Sequence, residues 1–159
     1  METAAIRPSV ISPEISSLAQ RESMPQHNID LSWSRGANST DLVQKRVTKT
    51  ADSEIIIGDV DDPLVVPGST TDKQVNVAID VSQLKSLFMM STTDLLVELN
   101  NGTGDANDVA LLANEPLIWW QGCGWDCPLK VDVTTGLYLT KAGAGDATVQ
   151  MRFLVDATP

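Results

Sequence analysis

From about residue 41 onward the chain breaks into short apolar runs of a single kind. In KQVNVAID, Val75, Val77 and Ile79 alternate with Asn76, Ala78 and Asp80. Successive strand residues face opposite sides, so this alternation predicts a half-buried strand with one wet face. ATVQMRFLVD repeats it, with Val149, Met151, Phe153 and Val155 on one parity and Gln150 and Arg152 on the other. Leu95, Val97 and Leu99 are in phase within DLLVELN, and so are Leu129, Val131 and Val133 within LKVDVTT. DLVQKRVTKT, SEIIIGDV, KSLFMMS, DVALLAN, EPLIWWQ and GLYLTK are further short runs, β-rich or apolar. Turn-forming residues punctuate them: DDP at 61–63, PGSTT at 67–71, QGCGWDCP at 121–128, TTG at 134–136 and KAGAGD at 141–146. One stretch, VSQLKSL, places Val81, Leu84 and Leu87 where a single helical turn would align them. Nothing resembles the long crossovers that a parallel sheet needs. The pattern predicts an all-β fold, an antiparallel β-sandwich of jelly-roll-like kind, over residues 41–159.

Residues 1–40 read differently. They hold Pro8, Pro13 and Pro25 and many serines, and we read no strand-like alternation in them. SPEISSLAQRE predicts a short amphipathic helix, with Ser12 as N-cap, Pro13 at the first helical position and Glu14 at the positive end. Ile11, Ile15 and Leu18 then share one face. Two or three turns are marginal alone in water, so such a helix would be ordered by packing on something else. We expect 1–40 to be an extended N-terminal arm, with Ile11, Ile15, Leu18 and Trp33 as its partner-binding residues.

Charge supports this division. The chain of 159 residues carries 21 acidic and 11 basic side chains, net -10. Residues 1–40 hold four acidic and three basic residues, which leaves 17 against 8 for the remainder. An acidic body argues against nucleic acid or anionic lipid as partners, because both demand clustered Lys and Arg. A hydrophobic content of 42% is enough for a real core. No run reaches membrane-spanning length, and METAAIRPSV does not read as a secretory leader. Synthesis in the cytoplasm is the expectation.

Candidate chemistry is sparse. The single histidine, His27, lies between Pro25-Gln26 and Asn28, and we expect a solvated loop residue rather than a catalytic base. Cys123 and Cys127 are separated by three residues, with no second pair downstream; free thiols, a small disulfide loop and a metal or redox role all remain open. GAGD and GTGD lack the lysine of a phosphate loop and read as hairpin turns. Asp59, Asp61 and Asp62 in GDVDDP, and Asp105 and Asp108 in NNGTGDAND, could bind calcium or simply form turns. No cofactor or metal is expected, and no enzymatic activity. Trp119, Trp120 and Trp125 crowd into IWWQGCGW. Adjacent strand positions face opposite ways, so one of Trp119 and Trp120 can enter the core while the other faces solvent or a partner. Core and edge packing, a protein interface and a sugar platform are the three readings.

The run VPGSTTDKQVNVAIDVSQLKSLFMMSTTDLLVELN resembles a pattern in small phage structural proteins: a strand ending in Asp, then V-S-x-L-K-S, then a strand and an Asn-terminated hairpin. ALLANEPLIWW, DVTTGLYLT and ATVQMRFLVDATP continue the likeness, which covers roughly residues 40–159. The resemblance is to phage head decoration (cement) proteins. It implies a sandwich that assembles as oligomers, often trimers, on the capsid exterior with the major capsid protein as partner, and no catalysis. Rival expectations are another virion component of tail, neck or fibre, and a carbohydrate-binding or adhesion module.

Overall fold

The computed structural model describes residues 24–34, 42–100 and 107–157, with backbone alone at 33, 34, 42 and 43. Its strands are β1 (Gln26–Ser34), β2 (Leu42–Thr50), β3 (Ser53–Ile57), β4 (Leu64–Val66), β5 (Thr70–Val75), β6 (Leu84–Ser91), β7 (Leu95–Leu99), β8 (Val109–Leu111), β9 (Leu117–Trp120), β10 (Leu137–Lys141) and β11 (Ala147–Val155). They form two packed sheets and a separate two-stranded ribbon. One sheet runs β3-β11-β6-β9, with β4 also on β11; the other runs β5-β10-β7-β8; among the described residues β1 and β2 pair only with each other. Every strand pair is antiparallel. The expected all-β sandwich is therefore the fold.

Alternation puts the core where the sequence pattern places it. Met151 lies opposite Met89 on one side and Ile57 on the other, and Phe153 lies opposite Leu87 and Ile55. In the second sheet Leu137 faces Leu99 and Val75, and Val97 lies between Leu139 and Val109. Directly paired residues share a face, so these rows point inward together. They merge into one buried cluster in which Phe153, Met151, Met89, Leu137, Leu139 and Val97 are almost fully enclosed. Each such side chain contributes on the order of 1.5–3 kcal/mol of gross hydrophobic stabilisation.

β3 and β4 act as one edge strand broken in the middle. β3 pairs the second half of β11 and β4 the first half. Gly58 makes the break at φ 67°, where a Cβ would run into the Val149 carbonyl oxygen and the Leu64 backbone. Only glycine fits both that backbone conformation and that approach.

Three expectations are corrected within the sandwich. KQVNVAID is strand only as far as Val75, where β5 ends, and Ile79 makes a single bridge to Val133. Val81–Gln83 is a short 3-10 turn capped by the Asp80 carboxylate, which accepts from Ser82 N at 2.8 Å, but Leu84 and Leu87 belong to strand β6. Pairing with β11 on one side and β9 on the other overrides the weak helical spacing. LKVDVTT is not a strand: Leu129 and Val133 are buried, whereas Val131 is exposed, and only Val133 pairs, with Ile79. That segment is shaped by Asn100, whose Oδ1 accepts from Thr134 N (2.6 Å) and Thr135 N (3.2 Å) and whose Nδ2 donates to Asp132 O (2.8 Å). A local side-chain network has replaced a ladder.

The larger correction concerns residues 1–40. A strand, β1, occupies Gln26–Ser34, and the sequence-based boundary at residue 40 falls between it and its partner β2. The alternation was present in HNIDLSWS, where Ile29, Leu31 and Trp33 interleave with Asp30, Ser32 and Ser34. The backbone register sets Ile29 against Val47, Leu31 against Lys45 and Trp33 against Val43. The helix predicted from Ile11, Ile15 and Leu18 lies outside the described residues.

Candidate binding surface

The ribbon has two chemically distinct faces. On one, Arg46 donates to Asp30 from Nε (2.6 Å) and Nη2 (2.9 Å), Thr48 Oγ1 donates to Asn28 Oδ1 (2.9 Å), and Gln26 Nε2 donates to the same oxygen (2.9 Å). The polar face thus satisfies itself, and the Arg46 guanidinium holds the Asp30 carboxyl below the usual carboxylate range. The other face carries His27, Ile29 and Leu31 on β1 opposite Lys49, Val47 and Lys45 on β2.

The base of that second face lies on the outer surface of the five-stranded sheet. Register assigns Glu54, Ile56, Ser86, Phe88, Ile118, Trp120, Arg152 and Leu154 to this outer surface. Ser86 and Leu154 are nonetheless fully buried, and Ser86 is capped by His27 of the ribbon. His27 makes the polar connection: Nδ1 meets Ser86 Oγ at 2.7 Å and Nε2 meets Glu54 Oε1 at 3.1 Å. An ionised carboxylate only accepts, so Nε2 carries a proton. In the neutral ring the Ser86 hydroxyl then donates to Nδ1; in the imidazolium both nitrogens donate. Arg152 extends the network, with Nη1 3.7 Å from Glu54 and Nη2 donating to Asp59 at 2.8 Å. The expected solvated loop histidine is instead the tack that fixes the ribbon to the sandwich.

Serine, histidine and glutamate in one chain of contacts invite comparison with a hydrolase triad. The geometry differs in two ways. A nucleophilic serine bonds Nε2 while the carboxylate holds Nδ1; here the two nitrogens are exchanged. Ser86 Oγ also sits beneath the ribbon, on a residue with 0% exposure, where no substrate carbonyl can approach. The arrangement is suited to holding two elements together. Between ribbon and sheet lies a cleft of about 420 Å³ lined by Ile29, Phe88 and Ile118 together with His27, Glu54 and Arg152.

The tryptophans take up separate positions. Trp119 enters the core and donates from Nε1 to Trp125 O at 3.1 Å. Trp120 points outward by register yet is nearly buried, with the Trp125 ring edge-on to it at 5.4 Å between centroids. Of the three, only Trp125 faces solvent, at 60% exposure. The opposite-face expectation holds, but this chain's own loop covers the outward ring. Cys123 and Cys127 in that loop are free thiols that pack against the core, and burial pushes the Cys127 thiol up.

Carboxylates are mostly engaged. Asp59 accepts from Arg152 and from Val60 N. On the outer face of the second sheet, Glu98 is buried and accepts from Thr140 Oγ1 at 2.6 Å, while Asp72 N donates to the same hydroxyl at 3.1 Å. Burial raises the Glu98 carboxyl above its usual range, the Thr140 hydrogen bond opposes this, and the neighbouring Asp72 adds to the rise. Among the described residues no three His, Cys, Asp or Glu groups are placed to hold a metal ion. None of the helices among them is long and apolar enough to cross a membrane.

Of the expected arm residues, Trp33 belongs to β1 by its backbone, whereas Ile11, Ile15 and Leu18 lie outside the described residues. His27, Ser86 and Glu54 were not foreseen as a group. They are 27 and 59 residues apart along the chain, and only the fold of the ribbon brings them together. Comparison with known proteins gives no match: no family model, no curated protein and no solved structure.

Proposed function

We propose that this chain is a structural virion protein, a decoration or cement protein that binds the outside of a phage capsid and stabilises it, with the major capsid protein as its partner. The observation that carries the reading is the division of labour within the fold. A rigid acidic sandwich supplies bulk and solubility, while an amphipathic ribbon and an exposed tryptophan supply contact surface. The chemistry at His27 supports attachment rather than turnover, since its serine is enclosed. The resemblance of residues 40–159 to head decoration proteins names the kind of partner. An acidic exterior also suits a protein that sits on a shell and does not touch the packaged nucleic acid.

Purified protein mixed with undecorated heads of the cognate phage is expected to co-sediment with them in many copies, and to raise the temperature at which the heads release DNA. Heads that sediment without it would overturn the reading. Trp125 favours one alternative, a carbohydrate-binding module, because an exposed indole can stack on a sugar. Quenching of tryptophan fluorescence by a glycan, abolished in Trp125→Ala, would establish that alternative instead.

A further inference from the structure

We propose that copies of this chain join head to tail, the ribbon of one seating on the β3–β4 edge of the next. The charge is segregated in a way that the whole-chain figure hides. Strands β1 and β2 carry Lys45, Arg46 and Lys49 against Asp30 alone, whereas residues 51–159 hold 16 acidic and five basic residues. The ribbon is thus a cationic element on an anionic body. Arg46 is committed to Asp30 on the polar face, which leaves Lys45 and Lys49 beside the apolar row. That row begins under the ribbon at Ile29 and runs out into solvent, where Leu31 is 42% exposed. Among the described residues this face is half docked on its own sandwich and half bare.

The complementary surface lies at the broken edge strand. Ile56, Val60 and Val65 are 48%, 77% and 41% exposed, and the first and last share the outer face of the five-stranded sheet. Asp61 and Asp62 beside Val60 are exposed. Neighbouring charges are already occupied: Arg152 by Asp59 and Glu54, and Lys73 by the Val65 carbonyl oxygen. An apolar row flanked by lysines therefore meets an apolar row flanked by aspartates. Charge complementarity of this kind orients partners and excludes mismatched ones. Ribbon and edge are different surfaces of one molecule, so the contact is heterologous; it closes into a ring when the rotation per copy divides a full turn. The proposal rests on the ribbon and not on the capsid reading. A chain that associates with itself but ignores heads fails that reading alone.

The test is sedimentation velocity with native mass spectrometry on the full chain at micromolar concentration. Wild-type protein is expected to associate. Leu31→Asp, Lys45→Glu and the double variant Asp61→Lys, Asp62→Lys are each expected to weaken association roughly fivefold or more, with circular dichroism unchanged. Mixing Lys45→Glu protein with the Asp61→Lys, Asp62→Lys protein sets the unaltered ribbon of the second against the unaltered edge of the first, and the reversed ribbon against the reversed edge, and is expected to recover the association that each variant alone has lost. A wild-type monomer throughout, association indifferent to both charge reversals, or a mixture that stays monomeric would each overturn the proposal. So would association that appears only when another protein is added.

Discussion

The sandwich and the ribbon are built from the same antiparallel pairing, yet different forces hold them. Nine strands of the sandwich enclose one apolar cluster, and its hydrogen-bonded ladders lie over that cluster. The ribbon's strands are nine residues each, a length only β11 matches in the sandwich, and pair in unbroken register, but among the described residues they enclose no core of their own. An isolated two-stranded hairpin is marginal in water. Among the described residues its support is the sheet beneath it, through His27 on Ser86 and Glu54 and through Ile29 beside Phe88 and Ile118. Ladder length is thus a poor guide to stability, and the side chains turned toward a neighbour decide it.

The most severe way to break this contrast is within the core. Phe153 is fully buried between Leu87 and Ile55, so Phe153→Ala is expected to cost about 3–5 kcal/mol. Chemical denaturation is expected to show one cooperative transition shifted by that amount, and the ribbon's order is expected to go with it. A loss below about 1 kcal/mol would mean that the cluster is not the common support.

His27→Ala attacks the other side of the comparison. It removes both ring contacts and leaves the Ser86 hydroxyl buried without its partner, at a cost of roughly 1–3 kcal/mol. Hydrogen exchange is expected to speed up in β1 and β2 while the amides of β6, β7, β10 and β11 keep most of their protection. Uniform loss of protection would show that the ribbon is an integral part of the sandwich and not an element tacked onto it.

Much of the sandwich was legible because its strands are half wet. The parity of Val149, Met151 and Phe153 identified the inner face of β11 before any pairing was known. LKVDVTT misled because the same parity arose in a segment that side-chain bonds to Asn100 hold in place, and alternation does not reveal such bonds. β1 is masked by composition although HNIDLSWS alternates cleanly. The prolines and serines before it have the composition of an arm, and that composition hides the period. The His27 network was beyond sequence altogether. A histidine flanked by Gln26 and Asn28 looks solvated until a second layer is placed beneath it, and spacing along the chain does not encode that layer.

Acidification provides the mildest test, because it pushes the two regions in opposite directions. Glu98, on the sandwich, has its folded-state pKa raised, mainly by burial. Its neutral form favours the folded state, so stability is full below the ordinary carboxylate range and is lost as pH rises through the folded pKa. At neutral pH the charge on Glu98 is therefore a liability. Asp30, on the ribbon, has its folded-state pKa lowered, chiefly by the hydrogen bond from Arg46. Its contribution is present above the ordinary range and is lost as pH falls through the folded value. That pair is wholly exposed, so its effect is small and weakens with salt. Glu98→Gln keeps an acceptor for the Thr140 hydroxyl while removing the charge. It is expected to raise the melting temperature at pH 7, with the gain disappearing as the pH falls to where wild-type Glu98 is itself protonated. Asp30→Asn is expected to leave the melting curve unchanged at every pH and to speed exchange only in β1 and β2, and only above the carboxylate range. If Glu98→Gln lowered the melting temperature at pH 7, the buried carboxylate would be a favourable charge with a cationic partner. The acid response of the sandwich would then have the same sign as that of the ribbon.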